Sequence, residues 1–120
     1  MSSRLAMESK ITEDKHVIGG FCPRFHRAVE LIGRRWSGAI VRALCDGPKR
    51  FNEVLALVPG LSDRLLTERL RELEGEEILV RRVEAGPPVR VHYELTARGR
   101  DLRPVLESIG VWAERWLTTD

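Results

Sequence analysis

Residues 61–74 read Leu61-Ser62-Asp63-Arg64-Leu65-Leu66-Thr67-Glu68-Arg69-Leu70-Arg71-Glu72-Leu73-Glu74. Ser62 is a good helix N-cap and Gly75 supplies a stop, so Asp63 to Glu74 is predicted to be helical. Leu66, Leu70 and Leu73 recur at helical spacing and define a buried stripe, flanked by Leu65. Arg64, Thr67, Glu68 and Arg71 then fall on the opposite, solvent-facing side. Two forked guanidiniums, a hydroxyl and a carboxylate acceptor suit groove edges and phosphates.

The flanking sequence supplies a setting for that helix. Upstream, Phe51 to Val58 reads as a helix closed by Pro59-Gly60, and Trp36 to Cys45 as a well-buried one stopped by Asp46-Gly47-Pro48. Before these, Phe25, Val29 and Ile32 share one face of a short helix that Pro23 can start, and Gly33-Arg34-Arg35 makes the turn. Downstream, Ile78 to Glu84 and Arg90 to Leu95 alternate and are rich in Val, Ile and Tyr, with Gly86-Pro87-Pro88 breaking between them into a hairpin. The order helix, turn, helix, wing predicts a mainly α winged helix-turn-helix fold with a small β-hairpin. A last amphipathic helix starts near Thr96. Its stripe of Leu102, Val105, Leu106, Ile109, Trp112, Ala113, Trp116 and Leu117 is wide for so small a domain, and a second chain is the natural lid. Residues 1–21 are read as an N-terminal arm, and residues 22–120 as one DNA-binding and dimerisation domain.

Composition narrows the class. A chain of 120 residues with 42% hydrophobic and 32% charged content is one globular domain, not a disordered tail. The net charge of +2 argues only weakly for nucleic acid, but its distribution argues more strongly. Arg24, Arg27, Arg34, Arg35, Arg42, Lys49 and Arg50 precede the near-neutral helix, and Arg81, Arg82, Arg90, Arg98, Arg100 and Arg103 follow it. The start lacks an apolar signal region, and no apolar run reaches membrane-spanning length. A cytoplasmic protein with no membrane partner and with reduced Cys22 and Cys45 is expected.

Several segments together resemble the HxlR-type winged-helix transcription regulators. They are Cys22-Pro23, Leu31-Ile32-Gly33-Arg34-Arg35-Trp36, Gly47-Pro48-Lys49-Arg50-Phe51-Asn52-Glu53, Pro59-Gly60-Leu61-Ser62, Leu66 to Glu74, and Pro88-Val89-Arg90-Val91-His92-Tyr93-Glu94-Leu95-Thr96. The resemblance implies a homodimer on double-stranded operator DNA, paired through its first and last helices. It further implies a fourth helix in the major groove and a wing on the flanking minor groove or backbone. Arg34 stands where the family usually carries a second glycine, and Glu68 where an amide is common.

On this reading Ser62, Arg64, Thr67, Glu68 and Arg71 form the recognition helix surface: arginine can fork onto guanine and Glu68 can accept from cytosine. The competing assignment is a merely solvated face with intrahelical pairs such as Glu68 with Arg64. Arg35, Trp36, Ser37, Lys49, Arg50, Asn52 and Arg90 are the expected backbone and wing contacts, because helix starts offer free N–H groups to phosphate. Trp36 is also a core residue whose indole N–H is expected to reach a phosphate. Leu102, Val105, Ile109, Trp112 and Trp116 are the expected dimer interface.

Cys22 precedes Pro23 at a helix start beside Arg24, His26 and Arg27, where thiolate is favoured. The resemblance implies that a cysteine here can sense oxidants or electrophiles; an inert capping thiol is the alternative. Cys45 reads as a small apolar filler. Cys22 and His26, with His16, make too sparse a ligand set for metal, and no cofactor motif or catalytic constellation is found. The expectation is a DNA-binding transcriptional regulator, a repressor, and not an enzyme. Its rivals are a winged-helix protein-interaction module and, more remotely, a thiol enzyme using Cys22.

Overall fold

The computed structural model describes residues 19–118, and the chain divides into two compact units, Met1–Ile32 and Gly33–Asp120. Apart from Gly19 to Phe21, the predicted arm, with His16, lies outside the described residues.

α1 (Pro23–Gly33) begins in the first unit, and all of it but its last residue belongs there. Proline is suited to this first position because its missing N–H would have no helical partner there. Cys22 caps the helix: its carbonyl accepts from the His26 N–H at 3.0 Å, and its Sγ from the Phe25 N–H at 3.5 Å. None of the α1 residues is buried, and Phe25 and Val29 stand exposed.

The second unit contains α2 (Ser37–Leu44), α3 (Phe51–Leu57), α4 (Asp63–Gly75), β1 (Leu79–Glu84), β2 (Arg90–Leu95), α5 (Ala97–Arg100) and α6 (Arg103–Trp116). Ile40, Val41 and Leu44 from α2 meet Val54 and Val58 from α3 and its end, Leu66, Leu70 and Leu73 from α4, and Ile78, Leu79 and Leu95 around the hairpin, all buried. Each such aliphatic side chain contributes about 1.5–3 kcal/mol by leaving water, so this cluster holds α4 in place. The hairpin is antiparallel, with Leu79 opposite Leu95 and Glu84 opposite Arg90. Its root is joined to the segment before α3, because Lys49 and Tyr93 exchange backbone hydrogen bonds of 3.0 and 2.8 Å.

α2 and α3 are a residue shorter than predicted at one or both ends, and two larger differences have a structural cause. Gly75 does not stop α4 but belongs to it; the left-handed residue is Glu77, at φ 62°. The Ile78 N–H reaches the Leu73 carbonyl and the Glu77 N–H the Glu74 carbonyl, both at 2.9 Å. These two bonds close the helix in a Schellman turn, and Glu77 occupies the place glycine usually takes. The predicted last helix is likewise two. Thr96 caps the single turn of α5 by accepting from the Gly99 N–H at 3.1 Å. Pro104, in the first turn of α6, has no N–H to continue the ladder from α5, so the chain turns at Asp101 and Leu102 and starts again.

Candidate nucleic-acid interface

The reading surface is α4. Ser62 begins it as predicted, its hydroxyl accepting from the Leu65 N–H at 3.1 Å. With Leu66, Leu70 and Leu73 anchored in the core, Arg64 and Arg71 are exposed, and Thr67 and Glu68 are half-buried between them. Arg64 pairs with Glu68 at 3.4 Å, and its side chain is 88% exposed, so this pair is weak and readily exchanged for another anion. The Thr67 hydroxyl donates to the Asp63 carbonyl at 2.9 Å, leaving its oxygen free only as an acceptor. Arg71 has no ion pair or hydrogen bond with any described residue. The surface therefore combines one uncommitted guanidinium with one held loosely by a carboxylate.

The flanking residues divide. Arg50 and Asn52 are exposed at the start of α3, where the Glu53 carboxylate accepts from the Arg50 N–H at 2.7 Å. Lys49 is half-buried, its ammonium 3.5 Å from the Gly47 carbonyl. Arg90 is exposed at the outer end of β2, and across the hairpin Arg82 donates to Glu94 at 3.1 Å. These side chains are displayed to solvent on one unit that also carries α4.

Two expected phosphate contacts are placed otherwise. Ser37 is 2% exposed and so offers phosphate no side-chain surface. Trp36 takes the left-handed conformation before α2, at φ 77°. Its ring lies against Gly60, and the Arg35 guanidinium sits 5.0 Å from the ring centroid. The indole N–H is buried and has no hydrogen-bond partner among the described residues, so it offers no donor to a phosphate in this conformation. Arg35 covers the indole and keeps its own charge in water.

Behind α4 lies a charge network not among the residues expected from the sequence. Arg69 is only 8% exposed, and its Nε–H donates to the Arg35 carbonyl at 2.9 Å. The same guanidinium approaches Glu72 at 3.5 Å and Glu68 at 3.7 Å. Arg34 in turn forks onto Glu72 at 2.8 and 3.0 Å. The signal for this lay in the spacing: Arg69 stands at the i+3 place of the stripe formed by Leu66, Leu70 and Leu73. An arginine there must be buried, and a buried guanidinium needs acceptors.

The remaining predicted residues lie elsewhere. Cys22 is half-exposed in the first unit, and Cys45, at the end of α2, is equally half-exposed and not the buried filler expected. Leu102 is half-buried, whereas Val105, Ile109, Trp112 and Trp116 are 43–64% exposed along α6. His26 is paired with Glu30 at 3.5 Å and stacks obliquely on Phe21. Among the described residues no helix is long and apolar enough to cross a membrane.

Comparison with known proteins agrees with this geometry. A family model described as HxlR-like helix-turn-helix matches residues 31–120. The uncharacterized HTH-type transcriptional regulator YvaP of Bacillus subtilis (strain 168) is 46% identical over 96 residues, which cover 80% of this chain and 89% of YvaP. The HTH-type transcriptional regulator YodB of the same organism is 43% identical over 95 residues, 79% of this chain and 85% of YodB. The structure of reduced YodB superposes with a TM-score of 0.75, covering 84% of this chain and 100% of that one at 41% identity. YodB is also known in diamide-treated and quinone-bound forms. The oxidized form of the redox regulator HypR gives a TM-score of 0.74 at 37% identity, with 82% and 99% of the two chains covered.

Proposed function

This chain belongs to the HxlR-like helix-turn-helix family of transcriptional regulators, which are not enzymes, and from that premise we propose that it is a homodimeric repressor of cytoplasmic transcription. It recognises a two-fold-related operator in duplex DNA and acts by occluding a promoter. The observation that carries this reading is the outward face of α4, where Arg64, Glu68 and Arg71 stand opposite the buried Leu66, Leu70 and Leu73. Arg50, Asn52 and Arg90 supply backbone contacts to either side. Two such helices related by a dyad reach successive major grooves when their centres lie roughly 34 Å apart.

Release is triggered by modification of Cys22 or by a small ligand. Support for the thiol comes from its half-exposed place at the start of α1 and from the redox forms in which YodB and HypR are known.

The test is selection of bound sites from random duplex DNA with the full chain, before and after mild peroxide. Enrichment of a dyad-symmetric site is expected, with affinity lost on oxidation. Affinity should fall steeply with salt, with a slope of about −7 in log K against log[salt] if each protomer neutralises about four phosphates. Flat salt dependence or sites without a dyad would overturn the proposal, and unchanged affinity after oxidation would leave only the ligand as the signal.

A further inference from the structure

We propose that Arg69 is a positioning residue: from behind the reading face it orients the Glu68 carboxylate and so sets discrimination at the base pair that Glu68 meets. This rests on the DNA-binding reading above.

The two oxygens of Glu68 have different partners. Oε2 lies 3.4 Å from Arg64, which is 88% exposed, and Oε1 lies 3.7 Å from Arg69, whose side chain is 9% exposed. Arg64 is free to leave; Arg69 is not. Its Nε–H is committed to the Arg35 carbonyl at 2.9 Å, and Glu72, its other carboxylate neighbour at 3.5 Å, is shared with the closer Arg34. A planar guanidinium fixed along one edge presents its remaining N–H groups in fixed directions. The Arg69 Nη1 that donates to Glu72 thus also places a fixed positive charge beside Glu68, which faces one immobile and one exchangeable cation.

That asymmetry matters when DNA arrives. Phosphate and guanine compete for Arg64, and once it is drawn away an unsupported glutamate would sample several rotamers or swing from the polyanion. The fixed charge of Arg69 still attracts one oxygen and leaves the other to accept from a cytosine amino group. A carboxylate that cannot retreat also repels the acceptor edges of the wrong base, which supplies discrimination by penalty as well as by contact. A merely structural Arg69, fastening α4 to the turn before α2, would affect every DNA sequence alike.

The experiment takes the site selected by the wild-type chain and measures Kd on its single-base variants for wild type, Arg69→Lys, Glu68→Gln and the double variant. Lysine keeps the charge but cannot hold the Arg35 carbonyl and Glu68 at once. Arg69→Lys and Glu68→Gln should each flatten preference by about tenfold at the same base pair, and the double variant no further. In parallel, the Nε–H resonance of Arg69 in the wild-type complex should shift when that base pair is changed, a reading independent of whether Arg69→Lys folds. A wild-type profile in either single variant, a uniform loss across all sequences, or an indifferent resonance overturns this proposal alone. Failure of the wild-type chain to bind any duplex overturns the DNA-binding reading and this one with it.

Discussion

Gly99 lies so close to the Ile78 carbonyl that no Cβ fits between them. The same carbonyl accepts from the Thr96 N–H at 3.0 Å and from its hydroxyl at 3.1 Å, while that hydroxyl also reaches the Glu77 carbonyl at 2.6 Å. One carbonyl thus joins the end of β2 and the start of α5 to the chain leaving α4. Gly99→Ala should cost about 1–3 kcal/mol, since backbone on both sides must move. Urea unfolding followed by circular dichroism measures it; an unchanged midpoint would mean that the junction is pliable.

The end of α4 makes an opposite prediction. Glu77 holds φ 62° without being glycine, and its ion pair with Arg98 is exposed and 3.7 Å long. Glu77→Gly should therefore stabilise by about 1 kcal/mol through relief of the left-handed strain. Gly75→Ala should also stabilise, by about 0.5–1 kcal/mol, because Gly75 is helical and nothing lies within 4 Å of the added carbon. Thermal unfolding of the two variants, expected to be raised in both, checks the assignment of the turn.

On the reading face Arg71 and Arg64 differ in what they give up on binding. Arg71 has no described partner to leave, whereas Arg64 must part from Glu68. Arg71→Ala should cost about 1–3 kcal/mol on the selected site and relax preference at one base position, with the smaller loss for Arg64→Ala. Arg50→Ala should instead weaken binding to all sequences alike. Competition binding across operator variants separates these patterns.

The exposed stripe of α6 predicts the oligomeric state. Ile109 and Trp116 are 51% and 64% exposed, and Val105 and Trp112 continue the same stripe. Apolar area of this kind is usually covered by another chain. Ile109→Asp with Trp116→Asp should yield monomers that keep helical circular dichroism and lose operator affinity. Sedimentation equilibrium that still finds a dimer would place the interface elsewhere.

How much of this was legible in the sequence depended on the range of the interactions involved. The start of α4 and the hairpin bounds were readable because a Ser62 cap and two-residue alternation act over neighbouring residues. The end of α4 was misread for a related reason: Gly75 looks like a stop, but the closing bonds need Ile78 to turn into β1, a tertiary demand. The break at Pro104 was available locally and lay hidden under a continuous apolar stripe. Burial of Arg69 was detectable from its place among the leucines, yet its acceptor is the carbonyl of Arg35, thirty-four residues earlier. Likewise Trp36 carries both an aromatic core signature and a polar atom, and that the polar atom is enclosed shows only in the fold.

The exchange of hydrogen bonds between Lys49 and Tyr93 fixes the hairpin at its root and not at its tip. At the root the Thr96 N–H also reaches the Ile78 carbonyl at 3.0 Å, the paired positions run from Leu79 opposite Leu95 to Glu84 opposite Arg90, and the Gly86-Pro87-Pro88 segment beyond them is solvent-exposed throughout. A tag, a fluorophore or a longer loop grafted there should leave the helical core intact, which makes the wing tip the natural place to instrument this protein or to alter its reach along a duplex.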